Sequence, residues 1–211
     1  MRFETDTKAK TIIMRGPIGN FDGGISADDF SSALEEHSGQ DVTIELDSQG
    51  GSVSDGLAIY NAIMRHEGKV TIHIDTMAAS IATVICCAAD YVKMNSNAKY
   101  MIHRCWTQAM GNCKDFRSTA DVMEMMDGDI ADSYAEKTEL TREELLAFMD
   151  AETWFSPEEA LAHGFINEIV KIERKEKASD AITKKVFALS PLAVSAKAKA
   201  SVLRMKLKLA K

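Results

Sequence analysis

The sequence predicts an α/β protein, and three observations carry that prediction. Runs rich in Val, Ile and Thr alternate with helical runs, the links between them are short, and glycine or small-residue turns stand where strand gives way to helix. A β-α-β-α-β series of this kind implies parallel strands joined by right-handed crossovers.

Thr11-Ile12-Ile13-Met14 predicts the first strand, and Ala27 to Glu36 a helix after the Gly23-Gly24 loop. Val42 to Leu46 predicts a second strand and Val53 to His66 an amphipathic helix. Val70 to Ile74 predicts a third strand, Met77 to Ile81 a small-residue turn, and Ala79 to Ala89 a nearly all-apolar, buried helix. Tyr91 to Met94 and Lys99 to His103 read as short strands. After the polar stretch Gln108 to Lys114, a long helix is expected over Asp115 to Glu139. Its Val122, Met125, Met126, Ile130 and Tyr134 recur at helical spacing and are placed to pack a core or a subunit contact. Thr141 to Met149 opens with a capping box, Ser156-Pro157-Glu158-Glu159 opens another short helix ending near Gly164, and Ile166 to Ile172 is the last strand-like run.

With 211 residues, 45% of them hydrophobic, the chain can bury one sizeable core. Charge divides it: residues 1–170 carry a net charge of −16 and residues 171–211 a net charge of +9. The expected organisation is a main domain over 1–172 and a basic tail over 173–211. Only Phe187 interleaves an aromatic ring with the basic residues of that tail, so a solvated, mobile tail or a protein-docking segment is favoured over nucleic-acid binding. The absence of an apolar run of about 18 residues, and of a basic-then-apolar leader, gives the expectation of a cytoplasmic protein with no membrane span. Cys86, Cys87, Cys105 and Cys113 lack zinc-ligand spacing and read as free thiols. No residue cluster suggests a metal or an organic cofactor, and none is expected.

The chemistry centres on Ser80. A serine at the start of a buried helix lies beside unsatisfied backbone N–H groups and the positive end of the helix dipole, where developing negative charge is stabilised. A serine there is more often an ordinary N-cap, and its company is what marks this one. Upstream, Asp47-Ser48-Gln49-Gly50-Gly51-Ser52-Val53 joins a strand to a helix through two glycines, without the Lys-Ser/Thr of a phosphate loop or the third glycine of a dinucleotide fingerprint. An oxyanion hole fits that loop, with the amide of Ile81 as the second donor. A serine nucleophile needs a base, and histidine is the usual one. His37, His66, His73 and His163 occupy structural or solvated kinds of position, while His103 closes the apolar segment Tyr100-Met101-Ile102; spacing alone does not select it. Nor does spacing choose the orienting acid among the 29 acidic residues of 1–170, Asp150 and Glu152 included.

Four ordered motifs resolve these choices by resemblance. Gly50-Gly51-Ser52-Val53 with Gly56 to Ile63, Met77-Ala78-Ala79-Ser80, Met101-Ile102-His103, and Ser156-Pro157-Glu158-Glu159-Ala160 with His163 to Asn167 resemble the Clp protease proteolytic subunit (ClpP) family over about residues 10–170. The resemblance implies a spiral of stacked βαβ units, shared with crotonases, and a protruding handle helix over Asp115 to Glu139. It further implies Ser80 as nucleophile, His103 as general base, and Gly51 and Ile81 as oxyanion amides. Glu152 stands in the register of the family's aspartate, with Asp150 the alternative acid. Protein or peptide substrates and a homo-oligomeric ring of seven, able to pair into fourteen, are implied as well. Arg104-Cys105 replaces the usual Gln-Pro, and the short amino-terminal segment does not supply the family's axial gate, which argues against an ATPase partner. Together with the basic tail, these departures resemble the phage and prophage ClpP-like proteases that process scaffold or capsid proteins in the bacterial host cell. Rival readings are a general degradative peptidase working with an ATPase, a crotonase-type acyl-CoA enzyme, a serine–lysine peptidase, and an inactive ring subunit.

Overall fold

Alternation of apolar and polar residues decides which face of each strand is buried. The structure is a computed structural model that describes residues 2–21 and 23–172. In β2 (Thr11–Arg15), β3 (Val42–Ser48) and β4 (Val70–Ala79), Ile12, Met14, Val42, Ile44, Leu46, Val70, Ile72 and Ile74 are buried. Helices α1 (Ala27–Glu35) and α2 (Val53–Arg65) contribute Phe30, Leu34, Ile59 and Ile63 to the same core. The opposite strand face is polar and half-exposed, and Arg15 bonds Glu45 at 3.0 Å and Asp75 at 3.2 Å across it.

Strands β2, β3, β4 and β5 (Tyr91–Asn95) pair in parallel, as the alternation of strands and helices predicts, and β8 (Glu168–Val170) adds to β5. One strand precedes those expected: β1 (Arg2–Asp6) pairs antiparallel with β2. Phe3 is the only large apolar residue in β1, so the sequence shows no alternating run there. The pairing instead follows from a tight turn in which Asp6 accepts hydrogen bonds from the amides of Lys8 and Ala9.

The sheet forks at β4. Thr71 to Ile74 pair with β5, whereas Met77 to Ala79 pair in parallel with β6 (Lys99–Ile102), which then pairs antiparallel with β7 (Thr153–Phe155). Met77-Ala78-Ala79 is therefore strand and not the expected turn, and α3 runs over Ile81–Cys87 rather than Ala79 to Ala89. Alanine favours helix by intrinsic propensity, and the ladder to β6 overrides it.

Helix α4 spans Cys113–Ala135, displaced toward the amino terminus from the predicted 115–139 because Asn112 and Asp115 form a capping box. Its far end is buried through Ile130, Ala131 and Tyr134, but Phe116, Val122, Met125 and Met126 are exposed. The expected packing thus holds for Ile130 and Tyr134 alone within this chain. Helices α5 (Arg142–Asp150) and α6 (Pro157–Ala162) start where predicted, at the expected capping box of Thr141 with Glu144 and at Ser156, which forms a capping box of its own with Glu159. Tyr100, Tyr134, Phe155 and Phe165 pack ring against ring where α4, β6 and β7 meet. No helix among the described residues is long and apolar enough to cross a membrane. The basic tail lies outside the described residues.

Candidate active site

Residues just past the ends of neighbouring parallel strands emerge on the same edge of a sheet. Here β4 ends at Ala79 and β6 at Ile102, with Ala79 paired to Met101, so Ser80 and His103 leave the sheet side by side. The Ser80 amide donates to the Met101 carbonyl at 2.9 Å, locking the two strand ends together. His103 Nε2 lies 2.7 Å from Ser80 Oγ.

Ser80 adopts φ 57° and ψ −133° between β4 and α3, and its side chain makes no capping bond to the helix it precedes. An L-residue at positive φ costs on the order of 1–3 kcal/mol and persists only when its surroundings enforce it. A sharp strand-to-helix turn of this kind presents a serine hydroxyl away from its own backbone. The ordinary N-cap reading is thereby excluded, since an N-cap serine has extended backbone and accepts from the helix amides.

The glycine loop packs directly against this turn. A side chain at Gly50 (φ 90°) would bring its Cβ within 2.7 Å of Ser80 Cβ and of the Ala79 carbonyl oxygen. At Gly51 (φ 151°) a Cβ would lie 2.0 Å from the Ile18 carbonyl oxygen. Ile18 fixes the loop by donating to the Gly50 carbonyl at 2.9 Å and accepting from the Ser52 amide at 2.8 Å. Among the described residues, the Gly51 amide has no backbone acceptor, and Ile81, first residue of α3, has its N–H outside the helical ladder. Both residues line a cavity of about 500 Å³ with Ser80 and His103. A second cavity of about 690 Å³ shares Gly51, Val53, Cys105 and Trp106 with the first and runs along the exposed half of α4.

The two candidate acids are placed differently. Asp150 is held by the Arg104 guanidinium, Nε to Oδ1 at 2.7 Å and Nη2 to Oδ2 at 3.0 Å. The bonds from Arg104 hold the Asp150 carboxyl below its ordinary range. That exposed pair therefore contributes its small stabilisation above the ordinary carboxylate range and loses it as pH falls through the lowered value. Arg104 also reaches buried Asp127 at 3.3 Å, and Asp127 accepts the Cys105 amide at 2.7 Å. Glu152 has φ 48° at the turn into β7, and its Oε1 accepts from Trp154 Nε1 at 3.4 Å. Neither carboxylate is hydrogen-bonded to His103 among the described residues.

The remaining histidines are occupied. His37 is buried with Nε2 3.0 Å from Thr5 Oγ1, His66 Nε2 lies 2.8 Å from the Gln40 carbonyl, His73 Nε2 meets Asn95 Oδ1 at 2.9 Å, and His163 packs among Phe148, Phe155 and Phe165. All four cysteines are unpaired. Cys105 lines the cavity, but burial and then the Asp127 carboxylate push its thiol up to about 12, so it stays protonated at neutral pH and is a poor nucleophile. Among the described residues no cluster of His, Cys, Asp and Glu could hold a metal ion. Two neighbours of the site lie outside the sequence-predicted set: Arg104, which departs from the family pattern and grips Asp150, and Thr83, three residues past the serine and so on the first turn facing its carbonyl.

A serine on a strained strand-to-helix turn, meeting a histidine on the adjoining strand end, places the molecule in the class of α/β serine peptidases. The family model described as Clp protease matches residues 9–173, and the chain belongs to that family. It is 33% identical over 178 residues to the ATP-dependent Clp protease proteolytic subunit of Streptococcus gordonii, covering 77% of this chain and 85% of the relative. The subunit of the same description from Deinococcus radiodurans is 29% identical over 143 residues, with 67% and 70% covered. A solved ClpP1 mutant from Listeria monocytogenes superposes with a TM-score of 0.70 at 27% identity, over 79% of this chain and 94% of that one.

Proposed function

We propose that the chain cleaves proteins or peptides with Ser80 as nucleophile and His103 as general base, and the 2.7 Å separation of Ser80 Oγ and His103 Nε2 is the observation that carries this reading. With the ring proton on Nδ1, the Ser80 hydroxyl donates to Nε2. As Oγ attacks the scissile carbonyl carbon, that proton passes to Nε2, and negative charge gathers on the carbonyl oxygen where the Gly51 and Ile81 amides receive it. His103 then gives the proton to the leaving amine, and a water activated by the same ring hydrolyses the acyl-enzyme. Glu152 is assigned as the orienting acid. Its support is the β6–β7 register: Ile102 faces Thr153, so the next antiparallel step sets His103 opposite Glu152, while Asp150 is already engaged by Arg104. A fluorophosphonate probe tests the core of this reading: mass spectrometry will find the adduct on Ser80, and labelling elsewhere or nowhere overturns it.

Replacing Gly51 will show whether its amide is used. Gly51→Ala forces a Cβ against the Ile18 carbonyl, tilting the donor, and kcat is expected to fall by about 10² with a smaller change in KM. Unchanged kcat in steady-state peptide hydrolysis removes Gly51 from the site.

The exposed Phe116, Val122 and Met125 of α4, with Trp106 and Met110 before it, support self-association through this handle; the ring of seven, able to pair, is proposed from the family alone. A narrower role, processing of phage scaffold or capsid protein, is supported by the basic tail and by Arg104-Cys105; the relatives' names equally support a degradative subunit working with an ATPase. Truncation after Ile172 tests the narrower role. On the narrower reading, short-peptide hydrolysis stays nearly constant while cleavage of the acidic protein substrate falls and loses its salt sensitivity. Joint loss of assembly and peptide hydrolysis makes the tail structural instead.

A further inference from the structure

We infer that Thr83 and Tyr134 are positioning residues that aim the Ile81 amide at the oxyanion, through a hydrogen-bonded chain running from α4 to the far side of the Ser80 peptide. The Ser80 carbonyl accepts twice from Thr83, from its amide at 2.9 Å and from Oγ1 at 2.5 Å. Thr83 Oγ1 also lies 2.6 Å from Tyr134 Oη. A threonine hydroxyl has one proton. Since Thr83 spends it on the Ser80 carbonyl, the phenol must donate to Thr83, giving the order Tyr134 O–H to Thr83 O–H to Ser80 C=O. Burial holds the Tyr134 phenol well above its ordinary pKa, so the phenol keeps the proton that this order requires.

Planarity of the peptide gives the chain its consequence. The Ser80 carbonyl and the Ile81 N–H belong to one rigid unit and point in opposite directions. Fixing the oxygen from behind with two donors therefore fixes the direction of the N–H in front, at the cavity lined by Ser80, Ile81 and Gly51. The same grip answers the strain at Ser80: with φ 57° the turn must be held from outside, and a bonded, buried pair on the next helical turn and on α4 holds it. Thr83 is fully buried and Tyr134 is 1% exposed, and in such low-dielectric surroundings each link of the chain is stronger than it would be in water. Tyr100, whose hydroxyl donates to the Thr83 carbonyl at 3.1 Å, steadies the threonine in turn.

This inference rests on Ser80 as nucleophile and Ile81 as oxyanion donor. Thr83→Val and Tyr134→Phe remove single hydroxyls with little change of shape. Each is expected to lower kcat by about 10- to 100-fold with KM within about twofold. Affinity for a peptide boronate, whose tetrahedral oxygen occupies the oxyanion position, should fall by the same factor as kcat/KM. Thr83→Ser restores the hydroxyl and should restore both. The double variant should be no worse than Thr83→Val alone, because the two residues act in series. Circular dichroism and thermal melting identify the folded variants on which these comparisons are made. A folded Thr83→Val protein with unchanged kcat, or with boronate affinity unchanged while kcat falls, overturns the inference, as does additivity in the double variant. If the wild-type chain itself takes no fluorophosphonate at Ser80, the proposed function fails and this inference with it; if it is labelled and Thr83→Val is unimpaired, the inference alone fails.

Discussion

Purified Ser80→Ala protein will turn over peptide at least about 10⁴-fold more slowly than the wild type, and His103→Ala will be impaired to a similar degree. The two residues act as a unit, so the double variant should be little worse than either single one. Ser80→Ala is a clean test because it keeps the Cβ and therefore the steric demand of the φ 57° turn, and the lost hydroxyl caps no helix amide. His103 is half-buried at a strand end, so trimming it opens the cavity without emptying the core. Steady-state hydrolysis of a short fluorogenic peptide is the measurement. Normal turnover by folded Ser80→Ala protein excludes this serine as the nucleophile.

Glu152→Gln should cost about as much as in well-studied triads, roughly 10⁴ in kcat, through loss of the correct ring tautomer. Asp150→Asn, compared in one assay, should cost less than about tenfold: its carboxylate sits in the Arg104 fork at the surface, and no hydrogen bond joins it to His103 among the described residues. The comparison separates two readings of one turn. Were Asp150→Asn the crippled enzyme, Arg104 would have to release it on substrate binding, and Arg104→Ala would then raise activity instead of leaving it nearly unchanged.

Much of this architecture was legible from residue order. The alternation in Thr11 to Met14, Val42 to Leu46 and Val70 to Ile74 marks strands buried on one face, and the capping box at Thr141 and the helix start at Ser156 appear where the spacing puts them. The fork at β4 was not legible, because Ala78 and Ala79 favour helix by intrinsic propensity and the partner that overrides it, β6, lies 20 residues on. The choice of acid was hidden for a related reason. It depends on β7, a strand of three residues too short to show a period, and on the sideways reach of Arg104. The strain at Ser80 has no signature in residue type, since serine has no preference for positive φ. Thr83 could have been found: a threonine on the first turn of a helix, three residues after a candidate nucleophile, faces that residue's carbonyl.

The Ser80 amide's bond to the Met101 carbonyl bears on how the enzyme wears out. Because that bond extends the β4–β6 ladder, the spacing of serine and histidine is inherited from the sheet and not from a loop. Heating should therefore leave the dyad intact until the sheet itself melts, with inactivation following global unfolding, while Glu152, on a turn outside the ladder, loosens earlier. Durability and adjustability are thus assigned to different parts of one site: the proposed nucleophile and base age with the core, and the proposed acid ages with the surface.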